Sequence, residues 1–156
     1  MSEGEGILFV CLGNICRSPL VEAVAREEFA RAGLDVPVDS CGTGGWHAGQ
    51  KADPRSIAAG AAEGYNLSRH RARQLAELDF RQWRWLLAMD QNNLEEMRAR
   101  CPDSFHDRLG LFLEFSGVGQ GEEVPDPYYG GREDFRAVLA LARRGVDGLI
   151  DHIQDG

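Results

Sequence analysis

The chain has 156 residues, 43% of them hydrophobic and 27% charged, with a formal net charge of −8. That length suits one domain, residues 1–156, with a sizeable buried core. The acidity argues against a nucleic-acid partner, and no stretch approaches the ~18 apolar residues that a membrane span needs.

Met1-Ser2-Glu3-Gly4-Glu5-Gly6 is acidic, and the apolar run behind it is too short for a signal peptide. A cytoplasmic location is expected, and with it reduced thiols at Cys11, Cys16, Cys41 and Cys101. Their spacing lacks the paired close ligands of a tetrahedral zinc site, so no metal is expected.

Ile7-Leu8-Phe9-Val10 predicts a short buried strand that runs into Cys11-Leu12-Gly13-Asn14-Ile15-Cys16-Arg17-Ser18-Pro19, and a helical pattern starts at Leu20. A cysteine thus ends a strand, and an arginine six positions later begins a helix. Gly13 and Asn14 between them tolerate unusual backbone angles. Successive N–H groups in such a loop turn inward as an anion cradle, backed by the positive end of the helix. The nucleophilic form of a cysteine is its thiolate, which a helix N-terminus and a nearby arginine favour. Arg17 carries a planar fork that matches two phosphate oxygens, and Ser18 can donate to the sulfur. The loop lacks the Gly-Lys-Ser/Thr ending of a nucleotide-binding P-loop. On spacing alone, a buried strand-end cysteine and a surface arginine would fit the same pattern.

The stretch Cys11–Pro19 resembles the signature of the low-molecular-weight protein tyrosine phosphatases, a family of small proteins with the nucleophile loop near the N-terminus. The resemblance implies Cys11 as nucleophile, a phosphate-binding loop of Leu12, Gly13, Asn14, Ile15, Cys16, Arg17 and Ser18, and no cofactor. It also implies that Cys16 pairs with Cys11 as a redox guard. Packing within the loop is the other reading of Cys16.

Val21, Val24, Ala25, Phe29 and Ala32 share one helical face, closed by Arg31 and Gly33. Val36–Cys41 predicts a second strand, which makes a βαβ unit with parallel strands. The glycine-rich segment 42–49 carries Trp46 on a loop after a strand end, placed to wall a site. A tryptophan folded onto the core is the alternative, and the resemblance favours the pocket. Asp53 and Pro54 start a helix from about Arg55 to Glu63, stopped by Gly64. The arginines of Ser68–Gln74 fit a solvated helix start. The resemblance singles out His70 there, supporting the loop through Asn14 and Ser40.

Trp83–Met89 predicts a third strand. Asp90 reads as the N-cap of a helix with Leu94 and Met97, ended by Pro102. Leu109–Phe115 predicts a fourth strand. A long helix follows, with Phe135, Val138, Leu139, Ala142, Val146, Leu149, Ile150 and Ile153 as its core stripe. The expected fold is α/β, a three-layer sandwich with a central four-stranded parallel sheet flanked by helices, flavodoxin- or Rossmann-like.

Before the last helix lies Pro125-Asp126-Pro127-Tyr128-Tyr129. Asp-Pro is a common turn pair. Asp126 is also expected at the same sheet edge as Cys11, and it supplies the proton donor that a phenolate leaving group needs. The family's acid stands in an Asp-Pro-Tyr context, so the resemblance implies Asp126 as acid and Tyr128 and Tyr129 as pocket walls. The implied partners are phosphotyrosine proteins, with inorganic phosphate as product and inhibitor, no nucleic acid and no membrane; a monomer is favoured. Three other functions share these motifs: an arsenate reductase, a protein-arginine phosphatase, and a phosphate-binding or redox-sensing module without turnover.

Overall fold

The structure, a computed structural model, describes residues 5–155. Strand β1 (Ile7–Cys11) is buried along its whole length. With β2 (Val38–Gly42), β3 (Trp85–Ala88) and β4 (Leu109–Leu111) it forms the expected four-stranded parallel sheet, ordered β2-β1-β3-β4. Alternation along β1 divides the core, because successive side chains leave a strand on opposite faces. Ile7, Phe9 and Cys11 face the cluster under α1 (Arg17–Arg31), α2 (Pro54–Ala62) and α6 (Arg132–Asp155). Leu8 and Val10 face the cluster that holds Phe80 of α3 (Asp79–Gln82) and Leu94 and Met97 of α4 (Gln91–Arg100).

The chain crosses from β1 through α1 to β2 on one side, then returns to β3 on the other. The carboxyl ends of β1 and β3 therefore flank a topological switch point, where open α/β sheets bind ligands. Gly42, opposite Cys11, lets β2 end against the loop there. A Cβ at Gly42 would stand 2.7 Å from the Leu12 carbonyl oxygen and 3.1 Å from the Asn14 nitrogen.

Four local expectations change. Helix α1 begins at Arg17 rather than Leu20, so Arg17, Ser18 and Pro19 form its first turn. Strand β4 ends at Leu111, and Phe112–Phe115 is a short helical turn, α5. A short apolar run does not separate strand from buried helix, and here Phe112 turns under α6. A Cβ at Gly145 would meet the Phe112 ring at 2.3 Å, so that glycine makes room for it. The arginine run near 70 is not helical: Gln74 makes a parallel bridge with Gly42, and Arg73 pairs with Asp79 and Asp39 at 2.9 and 3.3 Å. Finally, Asn14 and not Gly13 takes the left-handed backbone, with φ of 59°.

Candidate active site

Residues 11–17 wrap around the end of β1, and their carbonyls are anchored outward. The Cys11 and Leu12 carbonyls accept from the Thr43 and Gly44 nitrogens, both at 2.9 Å. The Ile15 carbonyl accepts from Asp53 N at 2.8 Å, the Cys16 carbonyl from Ser56 Oγ at 3.2 Å, and the Asn14 carbonyl from His70 Nε2 at 2.7 Å. In a trans peptide the C=O of one residue and the N–H of the next point opposite ways. Carbonyls pinned outward therefore turn the N–H groups of residues 12, 13, 15, 16 and 17 toward the loop's centre, an oriented donor ring for an anion.

Cys11, 2% exposed, forms the floor. Asn14 N donates to its sulfur at 3.3 Å, and Ser18 Oγ lies 3.0 Å from it. Ser18 Oγ accepts from Asn14 Nδ2 at 2.8 Å, and its own proton faces the sulfur at 3.0 Å and the Cys41 carbonyl at 3.5 Å. Asn14 Nδ2 also donates to Ser40 Oγ at 3.0 Å, and Asn14 Oδ1 accepts from Arg73 N at 3.0 Å. Asn14 is thus fixed at both ends of its amide, which holds its left-handed backbone. We expect Asn14→Ala to be about 1 kcal/mol less stable than Asn14→Gly in urea melts, because both lose the amide bonds and alanine alone resists that φ. Equal midpoints for the two variants would contradict this account of the loop.

Ser40 and His70 lie behind the loop, but they do not touch each other as a pair around Asn14. Ser40 Oγ donates to Glu22 Oε1 at 2.6 Å, and His70 Nδ1 lies 4.0 Å from the same oxygen. Glu22 on α1 is therefore the group between them, and Arg26 pairs with its other oxygen. Glu22 reads in the sequence only as a polar helix residue between core positions.

Arg17, 3% exposed, donates from Nη1 to Asp90 Oδ2 at 2.7 Å and to the Val124 carbonyl at 3.1 Å. Its Nη2 lies 3.8 Å from Asp126 Oδ2. Burial opposes the guanidinium charge, but the Cys11 sulfur and the carboxylates of Asp90 and Asp126 outweigh it and hold its pKa above the ordinary value. Asp90 caps α4 as expected, its Oδ1 accepting from Asn93 N at 2.7 Å. Its second oxygen orients Arg17, a role that the capping pattern does not display. Asp90→Asn keeps an oxygen for the cap and loses the charge. We expect a stability loss of about 2 kcal/mol and a fall in kcat/KM on the order of tenfold; a stability loss with unchanged kcat/KM would leave Asp90 as a cap alone.

Asp126 reaches this place because Val124 is pinned. Val124 N donates to the Met89 carbonyl at 2.8 Å, at the end of β3, and the Val124 carbonyl receives Arg17. Asp126 Oδ1 accepts from Tyr128 N at 3.1 Å. Its side chain is 44% exposed and faces a pocket of about 250 Å³. Cys11, Leu12, Gly13, Ile15, Cys16 and Arg17 line the base of that pocket; Asp126, Trp46, Tyr128, Tyr129 and His47 complete it. Trp46 and Tyr129 are 70% and 95% exposed, so they stand at the rim rather than in buried walls. His47, given no role by its sequence context, joins them, with Nδ1 2.9 Å from Gln50 Oε1. Burial, followed by the charges of Asp53, Cys11 and Asp126, pushes the Cys16 thiol up to about 12, against the pull of Arg55. Among the described residues no cluster of three or more metal-ligating side chains occurs, and no helix is long and apolar enough to cross a membrane.

A parallel α/β sheet with a cysteine in an amide cradle, an arginine beside it and a carboxylate facing both is the architecture of a cysteine-based phosphate site. The model of the low molecular weight phosphotyrosine protein phosphatase family matches residues 6–156. A phosphatase of that description from Schizosaccharomyces pombe is 42% identical over 138 residues, covering 86% of this chain and 88% of its own. A low molecular weight protein-tyrosine-phosphatase from Streptomyces coelicolor is 41% identical over 154 residues, covering 96% and 93%. The crystal structure of a protein tyrosine phosphatase from Entamoeba histolytica, with Hepes in its active site, superposes with a TM-score of 0.92 at 36% identity over 97% of each chain. The chain belongs to the low-molecular-weight phosphotyrosine protein phosphatase family.

Proposed function

We propose that the protein hydrolyses phosphotyrosine and small aryl phosphates through a phosphocysteine intermediate. The observation that carries this reading is the meeting of Cys11, Arg17 and Asp126 in one pocket. The Cys11 thiolate attacks phosphorus and displaces the phenolate. Arg17 and the inward N–H groups hold the equatorial oxygens, whose charge spreads in the transition state. Asp126 gives its proton to the leaving oxygen, then takes one from the water that hydrolyses the phosphocysteine. Phosphate leaves as product and competes for the same cradle. The aromatic rim of Trp46, Tyr128 and Tyr129, with Ile15 beneath it, suits a phenyl ring. Hydrolysis of phosphotyrosine peptides in preference to phosphoserine peptides tests the reading; equal rates on both would overturn it.

The related functions are less well supported. Arsenate reduction needs a relay of accessible cysteines, whereas Cys41 and Cys101 are buried on the other face of the sheet, outside the pocket that Cys11 lines. The apolar Ile15 fits an aromatic ring better than a phosphoguanidino group, which a phosphoarginine assay checks. A module without turnover has no use for an acid facing the nucleophile. The reading includes a monomeric, single-domain protein of the cytoplasm.

Cys16 supports a redox guard. It is a free thiol that lines the same pocket as Cys11. Peroxide oxidises the Cys11 thiolate to a sulfenic acid and releases hydroxide; the Cys16 sulfur then attacks it, forming the disulfide and releasing water. Peroxide-treated protein should regain activity with dithiothreitol, while Cys16→Ser should stay inactive. Full recovery of Cys16→Ser would assign Cys16 to packing.

A further inference from the structure

Outside the catalytic pocket, an open groove of about 880 Å³ lies between α2 and α6. Its floor is Ala58, Ala59, Ala62 and Ala140, small residues that leave a trough. Its sides carry Arg55, Arg132, Arg136 and Arg143, of which Arg55 pairs with Asp53, Arg136 with Glu133 and Arg143 with Glu63. Four arginines against three carboxylates leave a local positive excess, centred on Arg132, on a chain whose net charge is −8. From these observations we infer that the groove holds an acidic segment of the same polypeptide whose phosphotyrosine enters the catalytic pocket. The inference rests on the phosphatase reading above and deepens it.

Continuity with the catalytic pocket comes from Arg55. Its guanidinium donates to the carbonyls of Tyr128 at 3.0 Å and Gly130 at 3.2 Å, and lies 5.6 Å from the centre of the Tyr128 ring. Tyr128 lines the catalytic pocket, so the groove starts where that pocket's wall ends. The arginines then follow one face of α6. Positions 132, 136 and 143 span about 16 Å at 1.5 Å rise per residue. A single small anion does not bridge that length, whereas about five residues of extended chain do. Acidic side chains on one face of such a chain recur about every 7 Å, close to the ~6 Å rise from Arg132 to Arg136.

Arg132 supplies a second reason. It opens α6, where the helix dipole disfavours a cation, and it forms no ion pair among the described residues, unlike Arg55 with Asp53, Arg136 with Glu133 and Arg143 with Glu63. A charge placed against its local preference marks a position serving something other than the fold. The pairs at Arg136 and Arg143 are exposed, and such pairs are weak enough to exchange for a ligand's carboxylates.

The test compares nine-residue phosphotyrosine peptides with glutamate or alanine flanks, on the wild type and on the double variant Arg132→Gln/Arg136→Gln. At low salt the wild type should favour the glutamate peptide about three- to tenfold in kcat/KM, and the variant should lose that preference. Activity on p-nitrophenyl phosphate should be equal in the two proteins. Melting temperature should change little, since glutamine at the start of α6 relieves the dipole and the Arg136–Glu133 pair that is lost is exposed and weak. No preference in the wild type, or the same preference in both proteins, overturns the groove assignment. Fluorescence anisotropy with the labelled peptides gives the same comparison without turnover. Tighter binding of the glutamate peptide to the wild type, with no hydrolysis of any substrate, would uphold the groove and refute the phosphatase reading; equal binding by both proteins would refute the groove.

Discussion

Cys11→Ser should lose at least about 10⁴-fold in turnover of aryl phosphates while retaining part of its affinity for phosphate or vanadate. The site separates these two properties. Anion affinity comes from the N–H groups turned inward by anchored carbonyls and from Arg17, none of which involves the sulfur as a donor. Turnover needs a nucleophile already ionised, because the loop contains no base to activate one. The groups that touch the sulfur are Asn14 N–H and the Ser18 hydroxyl, and both stabilise negative charge rather than accept a proton. A serine there remains a neutral hydroxyl, unlike the serine of a triad, which has a histidine beside it. His70 does not fill that role, since its Nε2 is committed to the Asn14 carbonyl on the far side of the loop. Titration calorimetry with phosphate, beside steady-state rates on p-nitrophenyl phosphate, reads both properties. Turnover by Cys11→Ser within tenfold of the wild type would refute nucleophilic catalysis by this residue.

The parts of the site that could be read from the sequence are those built from neighbours in the chain. The end of β1, the tight loop and the start of α1 lie within Ile7–Arg31, and each of their local signals agrees with the others. The place of Asp126 at the pocket was legible from its position past a strand end and from the resemblance in its Asp-Pro-Tyr context. Asp90 was legible only in part. One carboxylate has two oxygens, and the sequence shows the partner three residues away, Asn93, but not Arg17, 73 positions off. Glu22 was missed for the same reason. Its partner Ser40 lies on β2, and only the packing of α1 against that strand brings the two together. The arginine groove was hidden because Arg55 belongs to α2 while Arg132, Arg136 and Arg143 belong to α6; each looks like an ordinary surface cation until the helices pack. The turn at Phe112 shows a different limit, since hydrophobicity alone states that a residue is buried and not which backbone buries it.

Asp126→Asn should lower kcat/KM for phenyl phosphate about 10²–10⁴-fold, with a smaller loss for aryl phosphates whose phenols are more acidic. A phenol of pKa near ~10 leaves poorly as an anion, and a proton delivered in the transition state removes that charge. The substitution keeps the position of the side chain. Oδ1 still accepts from Tyr128 N, and the anchor at Val124 between Met89 and Arg17 does not involve the carboxylate. What changes is the capacity to give and take a proton. The choice of kcat/KM matters, because it reports only the steps through formation of phosphocysteine, whereas kcat also contains its hydrolysis, for which Asp126 is proposed as the base. The variant should therefore show a steeper dependence of log(kcat/KM) on leaving-group pKa than the wild type. With the most acidic phenols it should release a burst of phenolate before a slow steady state, as phosphocysteine accumulates. A parallel dependence in the two proteins would mean that Asp126 acts through its charge beside Arg17, 3.8 Å away, and would remove it from the role of acid.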